Sequence, residues 1–310
     1  MLPVSVENDE VLVGERFSLA FQRTLRIPED GRTYPLPPGL GRLPVLRAAD
    51  FAQAVPTAWV ERDDLFLPLY QREALWLAFD GAWWKPNAVQ VAVGGIDAIS
   101  GRALEGLSGE NQNYVVCPNQ LWLDGVNAGE GFVRQFVAVP LGESRTVEAQ
   151  VRGREQVGGI QVRVFEPKPG RFPDKPPTRE QLELEPDAVL APHAPELGIG
   201  AGGKIRQRIV PDPYGTDTWD PDQSAAVSIQ IVNSAQYREL TGRPPPPTPI
   251  SATTYTEYGL PWFELYDEQA GDVQAPEFLA TLEGAIGDDA EAGVEIDPGD
   301  IKPLERRKRK

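Results

Sequence analysis

The residues best equipped for chemistry are carboxylates and side-chain amides, because this chain of 310 residues holds one histidine and one cysteine. Asn119-Gln120-Leu121-Trp122-Leu123-Asp124-Gly125, with Glu130 close behind, sets an aromatic ring, amides and acids around one turn, and Glu143 and Glu148 follow a strand later. Glycosidic hydrolysis needs two carboxyl groups flanking the bond and gains from an aromatic face for the sugar ring. Asp124 with Glu130 or Glu148 is therefore the candidate catalytic pair. Acids at turns also serve as solvated caps, which is the structural alternative.

Asp212, Asp217, Asp220 and Asp222 crowd the segment from Pro211 to Asp222, and hard oxygen ligands at close spacing suit calcium. Their order lacks the central glycine and terminal glutamate of an EF-hand loop, and an ordered turn capping the next segment fits them equally well. His193 lies in Ala191-Pro192-His193-Ala194-Pro195, where the flanking prolines favour an extended surface segment over a catalytic base. Cys117 has no second cysteine for a disulfide, and zinc sites built from several Cys and His are excluded. There is no P-loop. Gly198-x-Gly200-x-Gly202-Gly203 leads into an expected strand rather than a helix, so it reads as a turn. No cofactor is expected.

Gly131-Phe132-Val133-Arg134-Gln135-Phe136-Val137 matches Gly203-Lys204-Ile205-Arg206-Gln207-Arg208-Ile209 as Gly-x-aliphatic-Arg-Gln-x-aliphatic. In a strand, Gln135 shares a face with Val133 and Val137, and Gln207 with Ile205 and Ile209, so both amides are expected to point inward. A duplicated β-unit would produce this pattern; so would chance similarity between strands. Trp122, Arg134, Gln135, Arg206 and Gln207 are the candidate ligand-binding residues. The pairs Trp83-Trp84 and Trp262-Phe263 read as core packing, with Gly259 to Tyr266 an apolar latch onto the β-domain.

The elements that must position these residues are strands. Period-two alternation marks Arg16 to Ile27, Ala74 to Phe79, Val89 to Ile99, Tyr114 to Cys117, Phe132 to Val139, Thr146 to Val151, Ile160 to Phe165, Ile205 to Val210 and Ala226 to Val232. Turn signals such as Asp80-Gly81 and Gly158-Gly159 separate them. The 31 prolines and 30 glycines also favour short strands and turns over long helices. The expected fold is mainly β, an antiparallel sandwich or partly open barrel with a few short helices. Pro276 to Ile286 reads as a short amphipathic helix.

Three units are expected: a β-rich globular domain over 1–243 with a Pro-rich surface excursion at 167–195, an acidic extension over 244–286 docking on it, and a flexible tail over 287–310. The net charge of -16 concentrates late, since 13 Asp and Glu and no Lys or Arg lie between Arg243 and Lys302. Nucleic-acid binding is disfavoured apart from the basic tail Arg306 to Lys310, because phosphate contacts need clustered cations. No apolar run approaches the roughly 18 residues of a spanning helix, and with no signal-like start and one cysteine a cytoplasmic protein is expected.

Several segments resemble a widespread family of uncharacterised bacterial proteins. They include the stretch from Arg23 to Gly31, Pro68-Leu69-Tyr70-Gln71-Arg72-Glu73-Ala74-Leu75-Trp76, the stretch from Gly94 to Gly101, Trp122 to Gly125, Arg134 to Gly142, and Gly259-Leu260-Pro261-Trp262-Phe263. The resemblance spans most of residues 10 to 270; it implies a single integrated unit and no particular activity. The residues themselves favour a non-enzymatic β-rich binding or assembly protein with an unknown protein partner or self-association. The alternatives are a carboxylate-based hydrolase on a carbohydrate-like substrate and a calcium-dependent binding module.

Overall fold

A computed structural model describes residues 1–175, 197–247, 249–265, 272–285 and 294–304. Strands whose alternate residues are apolar bury one face each, and here two open sheets do so against each other. The larger sheet runs in the order Val4–Glu7, Glu10–Val13, Phe17–Thr24, Ala74–Gly81, Phe132–Pro140, Leu197–Arg206 and Thr33–Tyr34. Gly39–Arg42, Trp122–Leu123 and Gly125–Gly129 attach to its middle strands. The second sheet is ordered Ile96–Asp97, Asn87–Val93, Ile160–Pro167, Trp219–Val232, Leu65–Pro68 and Leu46–Arg47, with Val115–Cys117 pairing Asn87–Val93. Pairing within both sheets is antiparallel except where Thr33–Tyr34 joins Leu197–Arg206 and where Leu65–Pro68 joins Trp219–Val232.

Phe17, Leu19, Phe21, Leu75 and Leu77 from the first sheet meet Val89, Val91, Val162 and Ile229 from the second in one core. Among the described residues the fold is therefore mainly β and sandwich-like, with no closed barrel. Asn87–Val93 is buried along its whole length, because Ala88 on its other face packs with Tyr114, Val116, Phe165 and Trp219 in a satellite cluster. Among the described residues no helix is long and apolar enough to cross a membrane.

Four local expectations are corrected. The stretch Thr146 to Val151 is not a strand but the start of the helix Val147–Arg152: Thr146 Oγ1 accepts the Ala149 N–H at 3.0 Å, and Gly153 closes the helix at φ 71°. Capping outweighs the alternation of its apolar residues. The glycines from Gly198 to Gly203 form no turn; they lie inside Leu197–Arg206, where the neighbouring Val137 and Val139 side chains occupy the space a Cβ would need at Gly202 and Gly200. The helix expected from Pro276 is a single turn, Glu277–Ala280, after which the chain extends and the Ala285 N–H bonds the Ala201 carbonyl at 3.0 Å. Ile286 lies outside the described residues. The strand expected over Ile205 to Val210 leaves the backbone ladder at Arg206.

The segment after Arg243 is built into the same core. Ala252, Tyr255, Trp262, Leu279, Leu282 and Val294 all belong to it, and Trp262 is fully buried. Phe263 and Leu36 exchange both backbone hydrogen bonds at 2.7 and 3.0 Å, so the Gly259 to Phe263 stretch is held by ladder as well as by packing. Truncation of a buried Trp costs about 3–5 kcal/mol. Trp262→Ala is expected to lower the urea midpoint of the whole protein in one cooperative transition with an unchanged slope; a wild-type midpoint in the variant would contradict a shared core.

Candidate functional site

Asp124 sits between Trp122–Leu123, which pairs with Ala74–Gly81, and Gly125–Gly129, which pairs with Phe132–Pro140. The chain crosses so closely at this point that a Cβ on Gly125 would lie 1.9 Å from the Arg134 carbonyl oxygen, so only glycine fits. Asp124 is buried, and its Oδ2 accepts the Trp122 indole N–H at 2.8 Å and a Gln207 amide N–H at 2.7 Å. The Asp124 backbone N–H returns to Gln207 Oε1 at 2.9 Å. Burial pushes the Asp124 carboxyl up to about 7 against the opposing Trp122 hydrogen bond. The structure thus brings together three sequence candidates, Trp122, Asp124 and Gln207, with the indole half-buried.

Gln135 makes the equivalent arrangement elsewhere. Its Nε2 donates to the Leu25 carbonyl at 2.8 Å and its Oε1 accepts the Ile27 N–H at 3.1 Å, just as Gln207 takes the Trp122 carbonyl at 3.4 Å and the Asp124 N–H. The two matching segments are hydrogen-bonded neighbours, with Val133 opposite Ile205 and a register shift just beyond Arg134. Each glutamine therefore bridges a carbonyl and the N–H two residues on, the groups that a strand presents on one edge. Gln120 does the same to the Arg208 carbonyl (3.2 Å) and Val210 N–H (2.9 Å), and Gln112 to the Val210 carbonyl (3.1 Å) and Asp212 N–H (2.8 Å). Asn113 repeats it on the Gly106 carbonyl and Ser108 N–H. Gln112, Asn113 and Gln120 carry no periodic signal that would single them out in the sequence.

The remaining candidates lie apart. Glu130 is exposed in a turn at φ 55°, and Glu143 is exposed. Glu148 is buried in the first turn of Val147–Arg152, where its carboxylate accepts the Gln156, Val157 and Gly158 N–H groups at 3.0 Å each. Neither shares a hydrogen-bond partner with Asp124. Arg134 is half-buried and donates to the Gly202 carbonyl at 3.3 Å; burial pulls its pKa down against the opposing charge of Glu29. Arg206 is exposed opposite Phe132. His193 lies outside the described residues, and Cys117 is buried and in no disulfide.

Asp212, Asp217 and Asp220 of the Pro211 to Asp222 segment are engaged separately, and Asp222 takes part through its backbone. Asp212 Oδ2 accepts the Tyr114 hydroxyl at 2.6 Å and the Trp219 indole N–H at 3.0 Å, Asp217 pairs with Arg171, and Asp220 caps the Asp222 N–H at 2.9 Å. Among the described residues no group of three or more His, Cys, Asp or Glu is placed to hold a metal ion. Asp212 instead anchors a chain of edge-to-face rings: Tyr114 against Trp219, Trp219 against Tyr214, and Tyr214 against Phe172 at 5.1 Å. Burial and the Asp212 hydrogen bond push the Tyr114 hydroxyl well above its ordinary value.

Asp97 is the strongest feature that sequence reasoning passes over. It is wholly buried in the hairpin after Asn87–Val93, and Oδ1 accepts the Ile99 N–H, the Ser100 N–H and the Ser100 hydroxyl at 3.1, 2.7 and 2.8 Å, while Oδ2 has no partner. The Asp-x-x-Ser spacing of an Asx-type turn is its one legible signal. Burial raises this carboxyl from 3.8 to about 7, against the hydrogen bonds from Ser100 and Ile99. No family model, curated protein or solved structure compared with this chain matches it.

The raised carboxyls of Asp97 and Asp124 set a sign. The native state keeps protons on Asp97 and Asp124 that the unfolded chain has released, so stability falls as pH rises from about 4 through about 7. Asp97→Asn, which keeps the shape and removes the titration, is expected to flatten that fall when denaturant midpoints are compared across the window. Equal pH slopes in wild type and variant would contradict the assignment.

Proposed function

We propose that this protein is a non-enzymatic β-rich binding or assembly protein. The observation that carries the reading is the exposure of large aromatic side chains, Tyr258 at 73%, Phe278 at 44%, Trp83 at 40% and Tyr214 at 39%. Rings left in water at that level, beside polar neighbours, are a common mark of protein-binding surfaces. The internal use of the polar candidates supports the same reading: Gln135, Gln207 and Glu148 satisfy backbone groups of their own chain. Side chains so committed are poor tools for turnover and good ones for rigidity.

A second reading, a carboxylate hydrolase acting on a carbohydrate-like substrate, is favoured by one feature. Asp124 keeps its proton towards neutral pH, as a general acid must, next to the half-buried Trp122. Neither candidate partner acts beside it, since Glu130 is in an exposed turn and Glu148 is bound by backbone N–H groups.

Size-exclusion chromatography with light scattering over a micromolar to near-millimolar range distinguishes them. Concentration-dependent mass above the monomer is expected. A strict monomer that also retains no partner in a pull-down, with turnover of aryl glycosides abolished in Asp124→Asn, would replace the binding reading by the hydrolase.

A further inference from the structure

One cleft gathers side chains from three parts of the chain. The helix Thr57–Glu61 gives Trp59, the turn after Phe132–Pro140 gives Leu141, and the loop from Glu155 to Gly159 closes on Gln230 and Ile231 near the end of Trp219–Val232. Its volume is about 210 Å³. A cavity of about 150 Å³ holds one benzene, so this cleft takes a single ring or a short alkyl stem with a polar head. Leu141 and Val157, which line it, are large apolar side chains left exposed to water.

The walls are set by the chain's own hydrogen bonds. The buried Glu148 carboxylate holds the loop by accepting the Gln156, Val157 and Gly158 N–H groups at 3.0 Å each. Glu155 is anchored in turn, its two oxygens accepting the Gly142 N–H at 2.6 Å and the Thr146 hydroxyl at 2.7 Å. Trp59 is backed by Phe66, with ring centroids 6.3 Å apart. Walls ordered in advance lower the entropy cost of binding.

The polar groups offered to the cleft are acceptors. Gln230 is 9% exposed, and its Nε2 donates to Asp64 Oδ2 at 3.0 Å, which fixes the amide plane. Gln230 Oε1 then lies beside Gly159, 3.3 Å from where a Cβ would stand, and accepts no hydrogen bond among the described residues. Glu155 adds a carboxylate whose two partners are both neutral, with no ion pair among the described residues. Two arginines stand behind the cleft and each is matched elsewhere, Arg62 to Asp64 at 2.6 Å and Arg152 to Glu148 at 3.5 Å. An open amide acceptor, an uncompensated carboxylate and an indole select for a donor that carries positive charge, and the aliphatic walls select for a stem behind it.

We propose that this cleft binds an organic cation on a short apolar stem, an alkylammonium or alkylguanidinium group. Glu155 and Gln230 Oε1 receive its N–H groups, and Trp59, Leu141 and Val157 pack its stem. The inference deepens the binding reading above and rests on it. The same chemistry is carried by a free small amine and by a Lys or Arg side chain of a protein partner.

The test is calorimetric titration of the full chain with n-butylammonium, with n-butylguanidinium and, as the uncharged control, with 1-pentanol. The cations are expected to bind in about the millimolar range and to weaken with salt, and 1-pentanol to bind about tenfold more weakly or worse. Glu155→Gln keeps an acceptor for the Gly142 N–H, and Val157→Lys places a like charge at an exposed position. Each is expected to weaken the cations about tenfold with an unchanged melting temperature. A capped tripeptide with a central lysine separates the sources: binding as tight as that of n-butylammonium assigns a partner's side chain, and exclusion of the peptide assigns a free amine. Cations that fail to bind, bind no better than 1-pentanol, or ignore both variants overturn the proposal. Where that failure accompanies assembly or a retained partner, the binding reading stands; where it accompanies a strict monomer that retains no partner, both fall.

Discussion

Side-chain carboxamides complete the strands where backbone ladders end, and the polar interior depends on them. A buried N–H or C=O without a partner costs about 1–3 kcal/mol, so a segment leaving its sheet inside the protein needs another source of hydrogen bonds. Leu197–Arg206 ends its ladder at Arg206, yet Gln207 and Ile209 beyond it are buried and Val210 and Asp212 half-buried. Gln120 and Gln112 supply the missing edge there, each offering a donor and an acceptor on one planar group, as a peptide unit does. Gln207 does the same for the Trp122 to Asp124 crossing and Gln135 for Leu25 to Ile27.

The placement of both notable aspartates follows from this. Asp124 is fixed by a glutamine that bonds its backbone and its carboxylate together, and the resulting burial is what raises its pKa. Asp212 is delivered by Gln112 to the point where it gathers Tyr114 and Trp219, and the ring chain continues from there to the exposed Tyr214. The link from the interior amides to the outer aromatic surface is therefore continuous, through one hydrogen-bonded aspartate.

Strand-like patterning makes most of the sandwich legible in the sequence: Ile160–Pro167 and much of Phe17–Thr24 alternate apolar with polar residues, and Ala74–Gly81 and Phe132–Pro140 carry short apolar runs between turn signals. It misleads at Val147–Arg152, where a threonine cap and a closing glycine decide the matter, and it is silent about Asp97, whose burial depends on the loop folded over it. The inward glutamines are legible because they repeat beside aliphatic residues at Val133 and Ile205. What lies at the far end of each amide is not, since Leu25 and Trp122 are more than 80 residues from Gln135 and Gln207 respectively. The Pro211 to Asp222 loop shows the same limit: its composition suggests shared ligands, and its geometry gives Asp212, Asp217 and Asp220 separate partners.

The most direct measurement is backbone hydrogen exchange at Val210 and Asp212 in wild type, Gln120→Leu and Gln112→Leu. If the amides complete the strand, both N–H groups are protected in wild type, Val210 loses protection in the first variant and Asp212 in the second, while the ladder of Phe132–Pro140 keeps its own. Unchanged protection at Val210 and Asp212 in both variants would contradict the account.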